Sequence, residues 1–258
     1  MVFCIAFCLM NINLISDIHL EHGEYHHVVP DDADVIVIAG DLAPGRIAIP
    51  WLSELVSRTT KPIVYVPGNH EFYGEDLPSF DSWMLEQCNA TGVHYLNNRS
   101  VQILNTVFVG STLWTTLGDS TLSFETRAAM QNKFTESDQS NITYNCEPFS
   151  NALRILECED SMKYLKDELS DGLAGRVKRM RGTKVCVVTH HAPTSNSLPD
   201  NVPAEYEISY VQRMSGLMTY REVDLWLHGH IHKSSVYFVE DALVACNPRG
   251  RHELHHGN

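Results

Sequence analysis

Basic residues are scarce in this chain. Nineteen Lys and Arg stand against 32 Asp and Glu, a formal net charge of −13, and the one basic cluster is Arg176, Lys178, Arg179, Arg181 and Lys184. A surface that tracks a phosphate backbone needs concentrated Lys and Arg, so this balance argues against an extended nucleic-acid interface. The cluster follows an acid-rich helix and leads into a strand, and it reads as a solvated connection. Paired cysteines are missing too. The seven (Cys4, Cys8, Cys88, Cys146, Cys158, Cys186, Cys246) are odd in number, scattered and without Cys-x-x-Cys spacing, which fits free thiols in a reducing cytoplasm. The apolar stretch Met1 to Met10 is too short to span a bilayer and lacks the positive start of a signal peptide. Phe7 before Cys8 is also a poor fit to a lipoprotein cleavage site. A cytoplasmic protein with no membrane partner is expected, with residues 1–10 an N-terminal extension and Met10 the natural start. Internal repeats and low-complexity segments are absent.

Histidine, by contrast, is plentiful: 14 in 258 residues, alongside a 43% hydrophobic content ample for one globular core. Their placement carries the argument. Asn11 to Ser16 reads as an apolar strand ending in Asp17-Ile18-His19. Asp and His two apart at a strand end can offer an oxygen and an imidazole nitrogen to one metal. Val35 to Ala39 is a second apolar strand closing with Gly40-Asp41, where glycine lets the backbone turn and the carboxylate has two oxygens for two cations. Ile47 to Arg58 has helical spacing. The strand Ile63 to Val66 then runs into Pro67-Gly68-Asn69-His70, a neutral amide oxygen beside an imidazole that carries a proton near neutral pH.

Further along, Asp81 to Cys88 predicts a helix and Val93 to Leu96 a short strand. Val101 to Leu104 and Val107 to Gly110 predict a hairpin turning at Asn105-Thr106. Ser111 to Ser150 is polar and weakly periodic, with Trp114, Phe124, Phe134 and Tyr144. It is either a lid (residues 111–150) or a helical insert packing those aromatics into the core. Asn151 to Leu169 is the clearest helix. The strand Lys184 to Thr189 enters His190-His191-Ala192-Pro193, and Thr194 to Tyr210 reads as a loop bordering a site. Leu225 to Leu227 enters His228-Gly229-His230-Ile231-His232, where residues two apart share a face. Val236 to Val239 and Ala242 to Ala245 form a last hairpin, followed by Asn247-Pro248-Arg249-Gly250. His252, His255 and His256 belong to a disordered tail, 251–258.

Packing alone gives five strands no reason to end in metal-ligand side chains. In this order Asp-x-His, Gly-Asp, Gly-Asn-His-Glu, a later His and Gly-His-x-His resemble the calcineurin-like metallophosphoesterase superfamily, from Asn11 to about Gly250. Thr-His-His-Ala-Pro, Gly-Ser-Thr-Leu-Trp and Asn-Pro-Arg-Gly look like a bacterial and phage branch of it. The resemblance implies one domain over 11–250, a four-layer α/β/β/α sandwich of two mixed sheets flanked by helices. It implies two metal ions, one on Asp17, His19 and His232, the other on Asn69, His190 and His230, with Asp41 bridging. This mix of oxygen and imidazole donors suits manganese, iron, zinc or nickel. Hydroxide held between the ions would attack phosphorus, with His70 as general acid.

Glu71, His191 and His228 are expected to support the ligands, and Asn196 and Arg249, by loop position, to contact substrate along with Asn69. With no Arg-rich site near the ligands, a phosphodiesterase acting on a small phosphoester, nucleotides included, is the leading expectation. A phosphomonoesterase or protein phosphatase using Arg249 is the alternative. A non-catalytic scaffold on the same fold is disfavoured by the complete ligand set, and a nuclease by the acidic charge.

Overall fold

Short apolar runs bounded by Gly, Asn and Asp build the framework. The computed structural model describes residues 4–7, 10–118, 122–129, 133–178, 182–200, 202, 204–218 and 223–249. The first half of the chain contributes β1 (Cys4–Phe7), β2 (Met10–Ile15), β3 (Val35–Ala39), α1 (Ala48–Arg58), β4 (Ile63–Val66), α2 (Leu77–Thr91), β5 (His94–Tyr95), β6 (Arg99–Ile103) and β7 (Thr106–Ser111). An intervening segment holds α3 (Phe124–Ala128), α4 (Lys133–Asn141), β8 (Thr143–Tyr144) and β9 (Glu147–Pro148). The remainder is α5 (Asn151–Ser170), α6 (Leu173–Lys178), β10 (Lys184–Thr189), α7 (Ala204–Tyr210), α8 (Ser215–Met218), β11 (Leu225–His228), β12 (Ser235–Val239) and β13 (Ala242–Cys246).

The first sheet has the order β1-β2-β3-β4-β5, with only β1 antiparallel to its neighbour. The second has the order β12-β13-β11-β10-β7-β6, parallel in its middle and antiparallel at both edges. Both sheets are therefore mixed. Their central strands read as unbroken apolar runs because both faces are covered. Successive β3 side chains point opposite ways. Val35, Val37 and Ala39 share the inter-sheet core with Leu14, Val64, Phe108, Val188 and Leu227, while Ile36 and Ile38 meet Leu52, Leu55, Phe80 and Met84 of α1 and α2. On the far side Val185, Val187, Trp226 and Val244 pack against Leu165, Leu169 and Met218. Each buried aliphatic contributes roughly 1.5–3 kcal/mol of burial. The layers are helices, sheet, sheet, helices, the expected sandwich.

One clamp fixes the two sheets at the edge where the parallel strands end. The Ser16 amide donates to the Asn247 carbonyl (3.2 Å), the Arg249 amide to Ser16 (2.9 Å), and the Asn247 side chain to the Leu14 carbonyl (2.7 Å). The clamp sets the spacing between ligands carried by different sheets.

Several element boundaries differ from the sequence expectation. α2 is longer than Asp81 to Cys88, because Pro78 is tolerated in a helix's first turn and Gly92 closes it in the left-handed region at φ 82°. The hairpin turns at Leu104-Asn105, with Ile103 opposite Thr106, one residue earlier than expected. Thr194 to Tyr210 is not all loop: it holds a 3-10 turn, Ser195–Ser197, and α7. In 111–150, Trp114 is buried beside Phe149 at a ring separation of 4.9 Å, so that aromatic belongs to the core. Tyr144 is half-buried against the same cluster and Phe124 is half-buried, while the side chain of Phe134 lies outside the described residues. Lys184 pairs with Asp224 at 2.9 Å. Arg179, Arg181, His252, His255 and His256 lie outside the described residues.

Candidate metal centre

Ligand-type side chains leave the C-terminal ends of parallel strands: Asp17 and His19 after β2, Asp41 after β3, Asn69 and His70 after β4, His190 after β10, and His230 and His232 after β11. Ligand sites in open α/β sheets form at this edge. Asp17, His19, Asp41, His230 and His232 adopt φ of 50, 48, 54, 68 and 55°. Side-chain-bearing residues enter that left-handed region at about 1–3 kcal/mol each. Local bonds hold them there: Asp17 donates from its amide to Gly40 and His19 to Asp41, both at 3.0 Å, and the His230 amide donates to Asp17 Oδ1 at 2.9 Å. A Cβ at Gly68 would fall 2.2 Å from Asp41 Oδ1, and one at Gly40 2.2 Å from His190 Nδ1. Only glycine lets the ligand-bearing turns approach this closely.

Two groups of donors meet at Asp41. Its Oδ2 lies 3.6 Å from His19 Nε2 and 3.3 Å from His190 Nε2. On the first side, His232 Nε2 is 3.1 Å from His19 Nε2 and 3.3 Å from Asp17 Oδ1. On the second, His190 Nε2 is 3.2 Å from Asn69 Oδ1 and 3.1 Å from His230 Nδ1. Asp17, His19, Asp41 and His232 form one candidate metal cluster, and Asp41, His190 and His230 another. Imidazole nitrogens this close, their lone pairs converging beside carboxylates, are a donor set for cations. The residues present fit a dinuclear divalent site with Asp41 shared.

Supporting groups orient each ligand. His190 Nδ1 donates to the Ala39 carbonyl (3.0 Å) and His19 Nδ1 to Glu21 Oε1 (2.9 Å), leaving both Nε2 atoms for metal. Asn69 Nδ2 donates to Asp138 Oδ1 (2.9 Å) and to the Tyr73 hydroxyl (3.2 Å), which turns Oδ1 toward His190. Glu71, fully buried, accepts from the amides of Asp41 (3.0 Å), Leu42 (2.6 Å) and Gly68 (2.5 Å) and from the Tyr65 hydroxyl (2.8 Å). It ties the Gly40-Asp41 turn to the Gly68-Asn69 turn. His228 accepts from Ser197 Oγ (2.8 Å), and His191 packs its ring 4.2 Å from that of His230. Both are buried beside the ligands, as expected of supporting groups.

Burial pushes the Asp17 and Asp41 carboxyls up, but the surrounding histidines outweigh it and hold both below the ordinary carboxylate range, Asp41 furthest. Burial lowers His190, yet Asp41 and Asp17 draw its pKa up to about 9. His230 is held well below its usual value by burial and by His191 and His190. The carboxylates thus create a strongly cation-seeking point. His70 sits against it, its amide donating to Asp41 Oδ1 and its Nδ1 to Glu21 Oε1, both at 3.0 Å, with its ring stacked on Tyr73 at 4.3 Å. Burial lowers it, but Asp41 and Glu21 prevail and raise it to about 9.

The centre opens into a cavity of about 460 Å³ lined on one side by His70, Tyr73 and Asp138 and on the other by Leu198, Val202, Tyr210 and Ile231. Two residues expected at the substrate are elsewhere. Asn196 is exposed on the far side of its 3-10 turn, beside Arg213 and Ser215, because Ser197 is the residue that turns inward to His228. Arg249 places its guanidinium on the carbonyls of Ile18, Gly23 and Glu24 (3.0–3.2 Å) and over the Tyr25 ring, where it holds the His19 loop. Sequence reasoning missed Glu21, Tyr73 and Asp138. Glu21 stands two residues from His19 and Tyr73 four from Asn69, whereas Asp138 arrives from a distant polar segment with no local signal.

Fold and donor geometry together define a metal-dependent phosphoesterase site. The chain belongs to the calcineurin-like phosphoesterase family, whose signature matches residues 10–234. It is 22% identical to the uncharacterized protein L509 of Acanthamoeba polyphaga mimivirus over 96% of this chain and 94% of that one. Among solved structures it resembles the phosphopantetheinyl hydrolase of Mycobacterium tuberculosis, with a TM-score of 0.67, 15% identity, and coverage of 93% and 89% of the two chains. Among the described residues no helix is long and apolar enough to cross a membrane.

Proposed function

We propose that the protein hydrolyses phosphodiesters at this centre. Asp17, His19 and His232 would hold one cation and Asn69, His190 and His230 the other, with Asp41 between them, in the manganese, iron, zinc or nickel class that such donors suit. When bound, the cations supply Lewis-acid charge for the phosphoryl oxygens and an activated water. The chain's own residues bind, orient and move a proton. Glu21 fixes His70 through Nδ1, leaving Nε2 for the leaving oxygen of the substrate. A proton delivered there assists by ~10²- to 10⁴-fold. His70 holds that proton at neutral pH because Asp41 and Glu21 favour its charged form.

The observation that carries the diester reading is the lining of the cavity. Among its described residues there is no Lys or Arg, and Leu198, Pro199, Val202 and Ile231 form an apolar wall. A diester has one charge on its phosphoryl oxygens, which the cations cover, and its second ester group is neutral against that wall. A monoester dianion or a polyphosphate carries further charge, and the described lining has no Lys or Arg to meet it, the one charged imidazole, His70, being committed to the leaving oxygen. With Arg249 occupied by backbone carbonyls, the monoesterase alternative loses its anchor.

Initial rates on bis(p-nitrophenyl) phosphate and p-nitrophenyl phosphate, with manganese supplied and Asp41→Asn as control, test this. The expected result is a faster diester reaction that disappears in the variant. A faster monoester reaction overturns it.

A further inference from the structure

β12 is an edge of the second sheet, and among the described residues no strand pairs with its outer side. Its exposed face is apolar. Val236 and Phe238 are 53% and 68% exposed, while Tyr237 and Val239 pack toward the helix-side core. The hairpin to β13 turns through only Glu240 and Asp241, with Val239 opposite Ala242 and Tyr237 opposite Val244. Such two-residue turns close on a hydrogen-bonded pair, and bonded pairs alternate along an antiparallel ladder. Ser235, Tyr237 and Val239 therefore exchange bonds with β13. The amides and carbonyls of Val236 and Phe238 point outward, on the same residues whose side chains are uncovered. An edge with both features is a template for another strand.

We propose that this edge pairs antiparallel with the same strand of a second copy of the chain, about a two-fold axis at Tyr237. Register decides the occupant. Centring on Tyr237 sets Val236 opposite the partner's Phe238 twice, Ser234 opposite Glu240, and Lys233 opposite Asp241. Centring on Val236 would instead oppose Lys233 to Val239 and Ser234 to Phe238, and centring on Phe238 would oppose Val236 to Glu240. The Tyr237 register alone sets both outward apolar residues of β12 against apolar partners, a favourable cross-strand arrangement, and it brings Lys233, just before the strand, to the side of the partner's turn that carries Asp241. The contact is isologous, so it closes at two copies. It is also narrow, which places it in the weak, concentration-dependent class of interfaces.

Sedimentation of the full chain from about 1 µM to about 500 µM tests it, a range that brackets a micromolar dissociation constant. The expected result is a concentration-dependent rise from 29.1 kDa toward twice that mass. Phe238→Lys, on an exposed position, should weaken the dimer at least ~10-fold, about 1.4 kcal/mol, with an unchanged thermal melt of the monomer. Asp241→Lys should weaken it as well, and adding Lys233→Glu should restore it by rebuilding the pair with reversed signs. A monomer at every concentration overturns the proposal. So does a dimer indifferent to these substitutions, or a ladder of larger assemblies, which a closed two-fold pairing cannot produce.

Discussion

His70 illustrates how much one position can be asked to do. It follows a candidate ligand, Asn69, yet its own ring packs edge-on against that of His19 at 4.5 Å and is held by Glu21. Removing it leaves all seven candidate ligand side chains in place. His70→Ala should therefore bind two metal ions per chain by elemental analysis, while turnover of an alkyl phosphodiester falls ~10²- to 10⁴-fold and that of a p-nitrophenyl ester falls less, because a good leaving group needs little protonation. Undiminished alkyl ester turnover would remove His70 from the reaction. The candidate metal ligands were legible in the sequence because each lies within a few residues of a strand end, where apolar run and polar terminus adjoin. Glu71 was legible as a neighbour, but its grip on four donors in two turns was not, since those donors come from β4 and from the loops that follow β3 and β4.

At the scale of elements, α4 is tied to the metal centre. Asp138, buried on α4, accepts from Asn69 and Tyr73 and forms an ion pair with Arg154 of α5, whose guanidinium lies over the Trp114 ring at 4.8 Å. Asp138→Asn should weaken the metal held with Asn69 by ~10- to 100-fold, read by calorimetric titration, with the other metal little changed. It should also destabilise the fold by roughly 3–5 kcal/mol, because a buried Arg154 loses its counter-charge. The loop after β2 gives a second case. His27 is buried and donates from Nε2 to Asn13 Oδ1 at 2.6 Å, and burial, with Arg58 nearby, lowers its pKa to about 4. The unfolded chain takes up this proton near the ordinary value of about 6.5, so the contribution is complete above 6.5 and is lost as pH falls toward 4. The melting temperature of metal-free protein should drop across that window, and less steeply in His27→Gln. Equal slopes would rule out His27 as the cause. No local pattern announced either network, because Asp138 to Asn69 and His27 to Asn13 are contacts between separate segments.

At the scale of the molecule, the strained ligand turns and the two buried carboxylates, set in a chain of net charge −13, are unfavourable without cations. Binding that favours the folded state raises stability by mass action, about 2.7 kcal/mol at a hundredfold excess over the dissociation constant. Manganese or zinc should thus raise the melting temperature and EDTA reverse it, and Asp17→Asn should lose most of the increment. An increment unchanged in Asp17→Asn would place the stabilising metal elsewhere. The sequence by itself determined the apolar strands and the candidate ligands at their ends, since hydrophobic periodicity and strand-end chemistry are local properties of the chain, while the sandwich was implied by the resemblance those motifs carry. Only the tertiary structure decided that Arg249 braces the His19 loop, that Asn196 faces away, and that α4 orients Asn69. Each of these depends on which distant backbone carbonyl, hydroxyl or carboxylate a side chain meets, and the sheet clamp at Ser16 and Asn247, with the turns packed beneath it, settles that in three dimensions.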